Sequence, residues 1–483
     1  MLKGIQRRFL SNDDSSWLIL LLLISILLRF FSFFPSELDH DESTYAIIGN
    51  EILNGKLLYT DITDTKPVGI FLAYAGWQFL FGYSIFMKRL VAAILVGVTA
   101  YFVRQVSFRL FKDAKAANAA ALVYIFYSSV WSYFGLSPNT ELYFNFFTIT
   151  ALFFLIRKGV FNFHIAGLLA GIGFMFKYLV LFDFTAFVLV FFIVDIVRLK
   201  GKFQIKHLVP FIAAGIGFLI PFALTAVYYM WKGHFDDFYF ISFELPGLYK
   251  EAAFPVAFLI MLGDLLLRFF PITFFFMYAL IKESQTIGKE EKWLFGVWIG
   301  MVCIAMYLPG KGFSHYTIQL MLPLSLLAGL FFHAQVHLNS WLNFIFRGKS
   351  GLIILLCVML VVETVSFVEN VLEHDSFKEV AAFLKENTND DEMVFVANYE
   401  PIIYYLMQRE TPTKYVHANL LFTDLHKAFR FDNKVEIRRI MNQHPKFVTV
   451  QYHSELMDEM MGSDYVLDRT FRDGEILVYR KKD

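Results

Sequence analysis

Residues 17–34 read WLILLLLISILLRFFSFF, and residues 35–42 continue as PSELDHDE. An apolar run of this length, broken by a single cation at Arg29, is what a helix needs to cross the hydrocarbon core of a bilayer. Lys3, Arg7 and Arg8 precede it, and its end offers no small-residue cleavage site. The run therefore reads as a retained first span with a cytoplasmic N-terminus, not as a removable signal peptide.

The same pattern repeats down the chain. Hydrophobic residues make up 57% of the 483, and Phe alone occurs 58 times. That excess over an ordinary soluble protein falls in long runs between short charged clusters. Candidate spans lie at 17–34, 84–104, 117–135, 141–156, 163–180, 183–197, 208–230, 253–281, 293–308, 315–333 and 350–370. Alternate loops carry the basic residues: Arg104, Arg109, Lys112 and Lys115, then Arg157 and Lys158, then Arg198, Lys200, Lys202 and Lys206. Lys282, Lys289 and Lys292, and then Arg347 and Lys349, continue the series. The intervening loops hold only Lys56, Lys66, Lys232, Lys250 and Lys311, with Lys88 and Arg89 near a boundary. This asymmetry places the first set in the cytoplasm and the C-terminus outside. The expected fold is an all-α polytopic membrane bundle of about eleven transmembrane helices, residues 1–371, with a large first outer loop at 35–83. A small soluble α/β domain at 372–483 follows, on the extracytoplasmic side. There DSFKEVAAFLKEN (375–387) reads as a helix, and MVFVA (393–397), FVTVQY (447–452) and ILVYR (476–480) as strands.

Net charge is zero, no basic stripe suggests nucleic acid, and no glycine-rich phosphate loop is present. The two cysteines, Cys303 and Cys357, both lie in apolar runs, so no structural disulfide is expected.

The chemistry-bearing segment is the first outer loop, HDESTYAIIGNEILNGKLLYTDITDTKPVGIF (40–71). Asp39, His40, Asp41 and Glu42 fall just past the first span, where a carboxylate can take a proton from an incoming hydroxyl. Lys66, before Pro67, can meet a phosphate as a point charge. A solvated loop with charges at the headgroups is the plainer alternative. Lys177 and Asp183, near the ends of consecutive spans, either pair with each other or offer Lys177 to a phosphate. Arg29 and Glu141 are candidate partners. Arg268 lies inside the 253–281 run, where an unpaired charge costs roughly 2.5–3.5 kcal/mol, so it should face a salt-bridge partner, water or phosphate. His234, Asp236 and Asp237 read as a solvated loop more readily than as a metal cluster.

Taken in order, several segments resemble the GT-C integral-membrane glycosyltransferases, in particular the protein mannosyltransferase and aminoarabinose transferase branch. They are Asp41-Glu42, Tyr45, the Gly55 to Tyr59 stretch and Lys66-Pro67, followed by PNTELYFNFF (138–147) with Glu141. GFSHYTIQLMLPLSLLAG (312–329) and MVFVANYEPIIYYLMQRETPTKYV (393–416) continue the likeness over nearly the whole chain. The resemblance implies transfer of a sugar from a polyprenyl-phosphate donor to an acceptor glycan, lipid or protein at the outer face of the plasma membrane. It implies Asp41 as the base, with Asp39 its competitor, and Glu42 as the group that orients it or the acceptor. Lys66, Tyr316, His315, Lys311 and Lys177 become donor-phosphate contacts, and Tyr45, Tyr59, Glu141 and Arg268 substrate contacts. No cofactor is implied. Where some relatives carry a metal-binding acid before the Lys-Pro, this chain has Thr65, so a divalent metal lacks support. A transporter or flippase for lipid-linked saccharides is the rival reading, and a non-catalytic membrane scaffold a third.

Overall fold

The structure is a computed structural model that describes residues 14–131, 135–248, 255–282, 287–310, 314–332, 349–373 and 375–482. Its longer helices, in chain order, begin with α1 (Asp14–Leu28), α2 (His40–Leu53), α3 (Val68–Phe81), α4 (Ile85–Phe111), α5 (Ala114–Tyr127) and α6 (Thr140–Arg157). They continue with α7 (Val160–Phe174), α8 (Val180–Arg198), α9 (Val209–Lys232), α10 (Pro255–Arg268) and α11 (Phe270–Lys282). The last are α12 (Lys289–Tyr307), α13 (Met321–Leu330), α14 (Lys349–Phe367), α15 (Phe377–Glu386) and α16 (Asn433–Met441). Four strands follow α15: β1 (Val394–Val396), β2 (Phe447–Gln451), β3 (Tyr465–Phe471) and β4 (Ile476–Lys481).

Contacts divide the chain into two compact units. One comprises Met1–Phe33, Arg89–Tyr228 and Glu251–Ser366; the other comprises Phe34–Lys88, Tyr229–Lys250 and Phe367–Asp483. The sequence places a boundary at 371, whereas the C-terminal segment of the second unit begins at Phe367. In the structure, moreover, the first outer loop and residues 229–250 cluster with that segment and not with the helices.

The first unit is helical. Among the described residues, three segments are long and apolar enough to cross a membrane, α4, α8, and Ile205–Lys232, which contains α9, or four if the bent pair formed by α10 and α11 counts as one span. Shorter apolar helices include α1, α7 and His315–Leu330. The protein is thus a multi-pass membrane protein. Its helices pack in pairs, α6 on α7, α5 on α13 and α8 on α12. Between α7 and α9 the backbones nearly touch. A Cβ on Gly167 would stand 1.9 Å from the Ala214 carbonyl oxygen, and one on Gly171 would stand 2.3 Å from that of Phe218. Small residues four apart permit the close approach that drives helix association where no hydrophobic effect operates between helices. Arg29 is buried, and its guanidinium donates to the carbonyls of Ser128 (2.5 Å), Gly135 (2.6 Å) and Leu136 (2.6 Å).

The expected single span at 253–281 is instead two helices, α10 and α11, interrupted at Phe269. Arg268 accordingly ends a helix instead of sitting within one, and its Nε donates to Asp264 one turn back at 2.8 and 3.0 Å. Arg268 and Pro271 flank the break, and a proline inside an apolar run is the local mark of such an interruption.

In the second unit α2 packs on α3, and the short helix Ile402–Met407 packs on α2. The sheet has the order β1-β2-β4-β3, with β1 and β2 parallel and the other pairs antiparallel. β1 and β2 are buried on both faces, which explains their continuous apolar sequences. β3, at the sheet's edge, is mostly exposed and carries charges outward, so its sequence YVLDRTF lacks the apolar signal that marks the other three.

Candidate active site

The acidic segment after the first span starts a helix, and its residues divide the work by position. Asp39 is the N-cap of α2; its Oδ1 accepts the Glu42 amide at 3.1 Å. Glu42 reaches back, accepting the Leu38 amide at 3.2 Å, and is itself buried. Such reciprocal bonds satisfy the orphan donors of a helix start. Asp41 sits at the second helical position, where the partial positive charge of the N-terminus favours a carboxylate. Capping thus occupies Asp39, its competitor for the role of base.

Lys66 arrives from the far side of a tight turn. Tyr59 adopts φ 72°, its amide donates to Ile62 O at 2.6 Å, and its hydroxyl donates to Lys66 O at 2.9 Å. Its ring stacks on Tyr229, whose hydroxyl holds Leu58 O at 2.8 Å. Pro67 then disfavours helical backbone at Lys66 and opens α3. The result is a Lys66 Nζ 3.0 Å from Asp41 Oδ1 and 3.9 Å from Asp64 Oδ1. Asp64 Oδ1 also accepts the Lys66 amide (3.0 Å) and the Thr65 hydroxyl (3.2 Å). Tyr45 is fully buried against Phe71 and Tyr74, and Lys66 Nζ lies 5.8 Å from its ring centre. Tyr45 and Tyr59 therefore shape the position of Lys66 as packing and hydrogen-bonding partners.

Two histidines flank this pair, and neither was among the residues predicted for the site. His40 pairs with Glu400; burial pulls its pKa down, but the hydrogen bond and charge of Glu400 outweigh that and raise it. His417 Nε2 lies 3.9 Å from Asp41 Oδ1, and burial lowers its pKa. Deeper in, Glu37 accepts the Ser43 hydroxyl, and its pKa is pushed well up by burial and then by the charge of Glu400. His417 is brought in by a parallel bridge between Thr63 and Tyr415, in which the Thr63 amide donates to Lys414 O at 2.9 Å. That bridge joins segments some 350 residues apart, and no local sequence signal announces it.

The helical unit holds a second cluster. Glu141, in the first turn of α6, is 1% exposed and pairs with Lys177; His315 Nε2 is 3.9 Å from the same carboxylate oxygen. Lys177 Nζ lies 4.1 Å over the Tyr316 ring, and Asn145 of α6 donates to Ile318 O at 3.0 Å, tying the His315–Tyr316 segment to that helix. Four expected residues thus converge. The partners differ from those anticipated, however, since Lys177 pairs with Glu141, while Asp183 is held by Trp298 Nε1 (2.5 Å) and by Gln319. Arg29 spends its guanidinium on carbonyls, so the anticipated Arg29–Glu141 pair is not seen. His234 stands at the N-cap of the short helix Phe235–Tyr239 and pairs with Asp237 within it at 3.2 Å, where the sequence predicted a solvated loop. Lys311 lies outside the described residues.

No family model matches the sequence. The chain is 26% identical over 343 residues to the undecaprenyl phosphate-alpha-4-amino-4-deoxy-L-arabinose arabinosyl transferase of Pectobacterium atrosepticum, a match covering 65% of this chain and 59% of that protein. It thus spans about three fifths of the length of the curated relative it matches. Among solved structures, ArnT from Cupriavidus metallidurans bound to undecaprenyl phosphate superposes with a TM-score of 0.66 at 15% identity, over 97% of this chain and 98% of that one. The apo form of the same protein gives 0.66 at 16%, over 96% and 98%. Over nearly its whole length, then, the chain has the fold of ArnT, and its sequence is similar to that of an aminoarabinose arabinosyl transferase.

Proposed function

We propose that this protein is an integral-membrane glycosyltransferase that moves a sugar from a polyprenyl-phosphate carrier to an acceptor hydroxyl on the non-cytoplasmic face, with Asp41 as general base. The observation that carries the reading is the solvent-reachable Asp41–Lys66 pair at a helix N-terminus, just past the first span, in a chain with the ArnT fold. Asp41 takes the acceptor's proton as its oxygen bonds to the anomeric carbon, and the carbon–phosphate oxygen bond breaks. Polyprenyl phosphate then leaves, its charge met by Lys66. Lys66 also couples the two events. While it donates to Asp41 it damps that carboxylate's basicity, and a bound phosphate, by sharing Lys66, frees Asp41 to act.

Glu42 orients the acid segment, while Tyr45 and Tyr59 hold Lys66 in place. Lys177, His315, Tyr316 and Lys311 are assigned as a phosphate contact of the helical unit, and Glu141 and Arg268 as supporting charges. Lys177, already compensated by Glu141, contributes less there than Lys66 does at Asp41. The topology that accompanies this reading has about eleven spans, a cytoplasmic N-terminus and an outer C-terminal region at 372–483 that acts in acceptor choice. Cysteines placed at Ser43 and Lys200 should label from opposite sides.

The deciding assay uses purified protein in lipid, radiolabelled polyprenyl-phosphate sugars (aminoarabinose first, then hexoses) and a membrane extract as acceptor. Wild type should consume donor, and Asp41→Asn should lose about 10²–10⁴-fold in rate with donor binding retained. Donor that crosses the bilayer without being consumed would identify a transporter instead.

A further inference from the structure

We infer that His417 is a positioning residue for Asp41, holding its carboxylate through Nε2 at the site where the acceptor's proton is taken. This rests on the reading of Asp41 as the base. The geometry that carries it has three parts. First, His417 is a short helix's N-cap, and its Nδ1 accepts the Asn419 amide at 3.2 Å. A neutral imidazole whose Nδ1 accepts must carry its proton on Nε2. Second, Nε2 faces Asp41 Oδ1 at 3.9 Å, the same oxygen that takes Lys66 Nζ at 3.0 Å. At 3.9 Å this contact lies just outside hydrogen-bond reach, and catalytic hydrogen bonds are often long until substrate tightens them. Third, the placement is built from both sides, because the Thr63–Tyr415 bridge fixes the backbone two residues before His417 while Asp39 fixes the start of α2.

The groups facing His417 are Asp41 and His40 from α2, and Asp64 and Lys66 from the turn before α3. Burial lowers the imidazole pKa; Asp64 and Asp41 oppose that shift, while Lys66 and His40 reinforce it. The ring therefore stays neutral near pH 7 and acts as a donor without adding a second full charge that would make Asp41 a poorer base. The role differs from that of Lys66: the lysine is available to a phosphate, whereas the histidine stays with the carboxylate when the lysine turns away.

The two amide substitutions separate the ring's two nitrogens. His417→Asn places an acceptor near Nδ1 and keeps the helix cap but removes the donor; His417→Gln places an N–H near Nε2. Full-length protein in lipid is assayed for sugar transfer across pH. His417→Asn should lose about tenfold in rate, and the acid limb of its pH–rate profile should move up by about one pH unit, because Asp41 has lost a donor to its ionised form. His417→Gln should keep the wild-type limb and a rate within about threefold of wild type. A merely structural histidine would lower the rate without moving the limb, and that result, or equal profiles in the two variants, overturns the proposal. Should His417→Asn not fold, His417→Ser, which also keeps an N-cap acceptor and removes the Nε2 donor, takes its place: a limb moved up by about one pH unit supports the role and an unmoved limb refutes it. Asp41→Asn in the same series separates the levels. If it transfers at the wild-type rate, the base assignment fails and this proposal with it. If Asp41 proves essential while both His417 variants match wild type, only the positioning role fails.

Discussion

Two carboxylate–lysine pairs of this protein, Glu141–Lys177 and Asp41–Lys66, stand in different settings. Glu141 and Lys177 are 1% and 9% exposed; Asp41 and Lys66 are 17% and 19% exposed. The same pair of functional groups therefore meets two different electrostatic environments. A pair withdrawn from water must stay together, because either partner alone would be an uncompensated buried charge. A pair nearer water loses less when its partner is exchanged, and the proposed function uses that by letting a substrate phosphate take Lys66 from Asp41.

Breaking each pair in turn tests that contrast. The largest effect should come from Asp41→Asn, which should lower transfer by about 10²–10⁴-fold while leaving the unfolding temperature of the detergent-solubilised protein nearly unchanged. Comparable stability loss would put Asp41 in the structural class. Next, Lys177→Met should destabilise by about 3–5 kcal/mol, whereas Glu141→Gln with Lys177→Met together should recover most of that loss. Thermal unfolding of the single and double variants reads this directly, and additive losses would contradict a paired role. Third, Lys66→Ala should weaken donor binding by about 1.5–3 kcal/mol, the worth of a hydrogen bond to a charged group, measured by titration with polyprenyl phosphate.

A smaller effect follows from the two histidines, whose pKa values move in opposite senses. His40 is raised above 6.5, so its pairing with Glu400 contributes stability that is present below that value and lost as pH rises through the folded-state pKa. His417 is lowered, so its contribution is present above 6.5 and lost as pH falls through its folded-state pKa. His40→Gln should accordingly flatten the decline in unfolding temperature on the alkaline side of pH 6.5 and leave the acid side to His417; a profile unchanged by the substitution would refute the His40 contribution. The smallest effect belongs to Arg268→Ala. Its pair with Asp264 is exposed and should be worth less than about 1 kcal/mol.

Much of the site could be read locally. Asp39, Asp41 and Glu42 follow the first span in an order that caps a helix, and Lys66 stands before a proline, which orients it. The strands β1, β2 and β4 announce themselves by apolar runs. What escaped had no local mark. β3 is an edge strand with charges outward, and His417 falls one residue beyond the segment whose pattern is recognisable.

The sequence by itself determined that this chain lives in a membrane, because bilayer thickness sets a minimum apolar length that composition cannot hide. It also determined which residue types gather after the first span, because helix capping acts over four residues. Only the tertiary structure decided that Lys66 answers Asp41, that Glu141 and not Asp183 answers Lys177, and that His417 reaches back to Asp41 through the Thr63–Tyr415 bridge. Those choices join segments tens to hundreds of residues apart. Which charges meet depends on how whole helices and strands pack, and no window of local sequence contains that information.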